Sequence, residues 1–152
     1  MIQRIQTLYL IAAVVLSVAC LCLKIGVFSF GGFTILNEYN LWVTDAMGTR
    51  RFDTWPLFSV LVLSAAMGIY SIFMFNNRIL QARFCLFNVL LLLGWYILYI
   101  VYGQILGDGV ERVSFTPALS GILPACAIVL YMRARKAILS DEKLVRAADR
   151  IR

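Results

Sequence analysis

Four stretches of this chain, residues 7–24, 57–75, 84–102 and 115–132, contain no Asp, Glu, Lys or Arg apart from Lys24 at the edge of the first. A hydrocarbon layer about 30 Å thick takes roughly 20 apolar residues of helix to cross, and each stretch is near that length. The chain has 152 residues, of which 62% are hydrophobic and 14% charged. Soluble domains carry about 25% charged residues. The expected fold is therefore one all-α membrane domain, residues 1–152, with four transmembrane helices. Only a longer first loop, 25–53, short connections and a tail, 133–152, are left outside.

The remaining charges orient such a bundle. Arg4 precedes the first stretch, and Arg78 and Arg83 lie between the second and third. Seven Lys and Arg against three acids follow the fourth. Four crossings put these regions on one side, with balances of +1, +2 and +4, against 0 and −1 on the other. An excess of Lys and Arg marks the cytoplasmic face, so both termini are expected there.

Local signals fill in the connections. In the first loop Phe33 and Ile35 alternate around Thr34, and Leu41 and Val43 around Trp42, with turn-forming residues at 37–40. This pattern predicts a short β-hairpin on the outer face. Thr54 is a candidate N-cap for the second helix, Pro56 fits its first turn and Trp55 suits the interface. Gly103 is expected to close the third helix, Pro117 to open the fourth and Pro124 to kink it. In the tail Ser140 is placed to cap an amphipathic helix, with Asp141 and Glu142 in its first turn, Arg150 and Arg152 in its last, and Leu144, Ala148 and Ile151 on one face. Ser17-Val18-Ala19-Cys20 resembles part of a lipoprotein cleavage box, although Ser17 stands where Leu is usual; a retained first helix is the expectation.

Chemistry is sparse. The chain has no His, and the four cores hold no ionisable carboxylate or amine. That argues against a proton relay, a coupled transporter or an enzyme, and no metal or cofactor is expected. Cys20, Cys22, Cys85 and Cys126 read as small apolar residues. Ala13 and Ser17, Ser64, Gly68 and Ser71, and Gly121 and Ala125 are small residues at helical spacing, suited to close helix packing. On the third stretch Asn88, Trp95, Tyr99 and Tyr102 share a face. They form either a groove for a lipid tail or quinone, or an interfacial aromatic belt with an Asn bonded inside the bundle.

The opening Met1-Ile2-Gln3-Arg4-Ile5-Gln6-Thr7, the connector through Arg78, Gln81, Arg83, Cys85 and Asn88, and the ending from Asp141 to Arg152 carry a resemblance. Together they resemble domain-of-unknown-function family 4293, small four-helix inner-membrane proteins of Bacteroidetes-type bacteria. Ser140 departs from the family's frequent basic residue there. The resemblance implies the bacterial inner membrane, with a periplasmic first loop and a cytoplasmic amphipathic C-terminal helix. It also implies a role for the cytoplasmic face. The resulting expectation is a non-enzymatic accessory or scaffold subunit, with Gln3, Arg4, Gln81, Arg83, Arg146, Asp149 and Arg150 as contacts for a membrane-protein partner, a second copy or lipid headgroups. The alternative is a lipid, quinone or small-molecule binder using Asn88, Trp95, Tyr99 and Tyr102. Membrane lipids are expected partners and nucleic acid is not, because the positive-inside bias accounts for most of the basic charge.

Overall fold

A computed structural model describes residues 2–74, 77–107 and 114–149; the side chains of 2–4, 146, 148 and 149 lie outside that description. The order is α1 (Ile2–Cys22), β1 (Lys24–Phe30), β2 (Phe33–Tyr39), β3 (Val43–Asp45), β4 (Arg50–Arg51), α2 (Trp55–Phe73), α3 (Arg78–Gly107), β5 (Ser114–Pro117), a 3-10 turn (Leu119–Ile122) and α4 (Leu123–Asp149). The helices form a bundle in which α1 packs on α2 and α4, and α3 on α2 and α4. The strands make one antiparallel sheet, ordered β4-β3-β2-β1-β5, at one end of it.

This overturns the all-α class with four transmembrane helices. Three helices are long and apolar enough to cross a membrane: α1 over Ile5–Cys22, α2 and α3. The apolar stretch 115–132 is not one helix. Its first part is β5, its second a 3-10 turn, and only 123–132 are helical before Arg133, Arg135 and Lys136 arrive. Pro117 ends β5 at a sheet edge, where its missing N–H costs no ladder bond. Pro124 occupies the first turn of α4, where a missing N–H is harmless, so no kink is needed. Ser140 lies inside α4, which runs unbroken to Asp149 instead of restarting. Gly103 likewise sits within α3, which continues to Gly107.

The first loop is richer than one hairpin. Gly31 and Gly32, with φ of 59° and 88°, form the tight turn between β1 and β2 that only positive-φ residues make without strain. The β2–β3 pair runs from Leu36↔Asp45 to Glu38↔Val43, so its turn falls at 40–42, not at 37–40. Thr54 is the N-cap residue of α2, yet its hydroxyl makes no cap bond; it donates to Tyr39 O at 2.9 Å instead. β5 pairs with β1 through Phe28↔Phe115, whose rings lie 4.8 Å apart.

The bundle surface is apolar as well as its core. Leu8 is 64% exposed and Ile97 65%, and Val15, Phe73, Phe87, Leu90 and Ile100 are exposed with them. A water-facing bundle would carry a polar stripe there, so this exterior suits hydrocarbon. Of the four free cysteines, Cys20 and Cys85 are buried, while Cys22 and Cys126 are exposed and so do not serve as core residues.

Inside, Gly68 of α2 marks the tightest approach. A Cβ there would lie 2.6 Å from Val14 Cγ2 of α1 and would collide with the hydroxyl of Tyr131 of α4. Tyr131 is fully buried, so there is no space to swing it clear. Gly68→Ala is expected to lower stability by about 1–3 kcal/mol through overpacking. Denaturant unfolding in detergent micelles measures it, and an unchanged midpoint would show slack at the bundle axis.

Candidate functional site

The seam between sheet and bundle concentrates the buried polar groups. The last carbonyls of a helix have no partner within it. At the end of α1, Asn40 supplies one: its amide donates to Cys20 O at 2.7 Å. The same amide accepts from the indole N–H of Trp95 at 3.0 Å. Trp95 is fully buried and stacks on Tyr99 at 5.2 Å. The Tyr99 hydroxyl donates to Ile25 O at 2.7 Å, which also accepts from Ala118 N–H at 2.9 Å. Tyr96 donates to Gly121 O at 2.6 Å, and the Ser120 hydroxyl donates to Lys24 O. These bonds together tie α1, β1, α3 and the 3-10 turn before α4 to one another.

Under the same sheet lies Glu38, fully buried, with neither carboxylate oxygen bonded among the described residues. It sits opposite Gly26 on β1, where an added Cβ would come within 2.8 Å of Glu38 Oε2 and 2.5 Å of the Phe115 ring. Gly26 therefore makes the room that Glu38 and Phe115 occupy. Burial pushes the carboxyl from its ordinary 4.5 up to about 7, because an apolar surround penalises the charged form.

At the opposite end Arg78 donates to Asp141 at 2.6 Å, joining α3 to α4 in a partly buried pair. Gln81, buried, donates to Ser71 O at 3.0 Å and pins the α2–α3 hairpin. Arg83, Arg133, Arg135, Lys136 and Lys143 are exposed around this end.

The residues singled out in the sequence divide accordingly. Gln81 is committed inside the bundle, whereas Arg83 is exposed. The side chains of Gln3, Arg4, Arg146 and Asp149, and all of Arg150, lie outside the described residues. Asn88, Trp95 and Tyr99 are buried, and Tyr102 is half-buried against the core. Asn88 meets α2: with its NH2 turned to that helix, an orientation assigned from its bonding partners, it donates to Ser64 O at 2.8 Å and accepts from Gly68 N–H at 3.3 Å. Sequence reasoning missed Glu38 and Asn40, which it read as turn residues. Glu38 lies in β2 and Asn40 in the turn just after it, and no local signal marked either as buried.

Helices of membrane-crossing length, a sheet bonded across one end and exposed cations around the other define a capped bundle of membrane-protein build. The chain belongs to the family described as Domain of unknown function (DUF4293), whose model matches residues 2–151, essentially its whole length. This is the family its opening, connector and ending resemble. No curated protein matches the chain.

Two outcomes follow from the seam. Asn40→Ala strands the Trp95 donor and the Cys20 carbonyl in a buried place, so a loss of about 2–4 kcal/mol is expected. Chemical unfolding followed by far-UV circular dichroism reads this, and a loss below about 0.5 kcal/mol would show that water replaces the amide. Glu38 has its own signature: the unfolded chain loses this proton near 4.5 and the folded chain near 7, so stability falls between those values and is flat above. The span corresponds to roughly 3 kcal/mol. Glu38→Gln should abolish that slope and exceed the parent in stability at pH 8; parallel pH curves for the two would refute the buried neutral acid.

Proposed function

We propose that the protein is a non-enzymatic scaffold or accessory subunit of the bacterial cytoplasmic membrane. Its sheet faces away from the cytoplasm, and its basic end docks an acidic protein partner. The observation that carries the reading is the segregation of charge between the two ends. Among the described side chains, the end opposite the sheet holds six Lys and Arg against two acids, Asp141 and Glu142. The sheet end holds Lys24, Arg50 and Arg51 against Glu38, Asp45 and Asp53, and Arg51 is paired with Asp53 at 2.6 Å. Excess basic charge beside membrane-crossing helices marks the cytoplasmic side. Exposed cations concentrated on one face also steer an acidic partner toward it.

The interior supports a structural role. Its polar side chains at 40, 81, 95, 96 and 99 are each bonded to protein groups that hold elements together. Arg83 on α3 and Lys143 on α4, both exposed, are the described residues we assign to the partner surface.

Two measurements test this. In a background with Cys22 and Cys126 replaced, Met47→Cys at the sheet end should react with a membrane-impermeant maleimide in intact spheroplasts. Lys143→Cys should react only after permeabilisation, and the reverse pattern would refute the orientation. Charge reversal of Arg83 and Lys143 together should strip a stoichiometric partner from the natively extracted protein, while reversal of Arg51 should not. Retention of that partner by the double variant would refute the docking surface.

A further inference from the structure

Between α3 and α4, near the basic end, runs a groove of about 320 Å³ lined by Leu86, Val89, Met132, Arg135, Lys136 and Leu139. Four of the six are apolar, and two adjacent residues of α4 are cations. Its volume falls at the lower edge of small-molecule sites, which run from roughly 300 to 1,000 Å³. Leu86, Met132, Arg135 and Lys136 are all exposed, so the groove opens outward from the bundle.

Among the described residues, no acid compensates the charge of this groove. Neither Arg135 nor Lys136 is ion-paired with a described residue, and no acid is among the lining residues. Asp141, one of the two described acids at this end, is held by Arg78. An occupant must therefore offer negative charge and hydrocarbon together. A peptide with an acidic side chain meets the first requirement, but a groove that opens on an apolar helix surface favours an amphiphile already in the bilayer. Long basic side chains lay their methylene stems along apolar surface and hold their charged ends at headgroup level, which suits a phosphate above an acyl chain.

We propose that the α3–α4 groove is a binding site for an anionic glycerophospholipid. The headgroup phosphate lies against Arg135 and Lys136, and an acyl chain lies along Leu86, Val89 and Met132. The guanidinium presents a planar fork of donors to the phosphate oxygens and the ammonium a compact point charge. The site does not depend on the partner surface at Arg83 and Lys143 and would persist if that surface proved wrong.

The test is native mass spectrometry of the full chain in mild detergent, titrated separately with phosphatidylglycerol and phosphatidylcholine. The first phosphatidylglycerol is expected to bind at least about tenfold more tightly than phosphatidylcholine, from roughly fivefold per cation near a headgroup. Arg135→Gln with Lys136→Gln should erase that preference, and Lys143→Gln should keep it. Leu86→Trp leaves both cations in place while filling the groove, and should weaken phosphatidylglycerol binding without altering the helical circular dichroism. Equal affinity for the two lipids, retained preference in the double Gln variant or unchanged binding in Leu86→Trp would each overturn the site. Displacement of the lipid by millimolar inorganic phosphate would overturn the lipid in favour of a free anion. A dimer that disappears in the double Gln variant would assign the groove to a second copy.

Discussion

Everything at the capped end of this protein depends on one buried amide. Asn40 donates to the end of α1 and accepts from Trp95 in the middle of α3, both in a buried place. A buried polar group without a bond is costly, so the amide position is fixed by what it must satisfy. Once it is fixed, β2, which ends one residue earlier at Tyr39, cannot slide. The register of β2 against β1 and β3 then sets where Glu38 falls, and Gly26 opposite provides the opening that Glu38 and Phe115 fill.

The bundle resolves a different conflict. Hydrocarbon outside gives no hydrophobic reason for helices to associate, so close packing and a few internal polar bonds must do it. Gly68 lets α1 and α4 meet α2, and Asn88 reaches the same turn of α2 from α3. Four helices thus converge on one glycine. The exterior is left to the lipid, and the cations gather where the helices leave it.

The sequence makes the first three helices legible because their charge-free runs are long, and it locates the basic residues that end up around one rim. It misleads where a run of apolar residues has the right length for a helix but the wrong local chemistry. Residues 115–132 hold two prolines, Pro117 and Pro124, seven positions apart; they divide into strand, turn and helix because Phe115 finds a partner in Phe28, which no local window contains. Glu38 and Asn40 were visible only as turn formers, since the groups around them, β1 and Phe115 for Glu38 and α1 and α3 for Asn40, are distant in sequence. Trp95 and Tyr99 share a face as the spacing implies, and that face turns inward because Asn40 and Ile25 wait there.

The pairing of β1 with β5 has a consequence in time as well as in space. β1 lies near the start of the chain, and its partner follows α3. Until the ribosome has made that later strand, β1 presents an open edge of unpaired N–H and C=O groups. The cap therefore closes only after α1, α2 and α3 have been made, and α4 follows it. Synthesis order makes the sheet a clasp on the first three helices, so a chain interrupted before Ser114 has α1, α2 and α3 but neither the clasp nor α4.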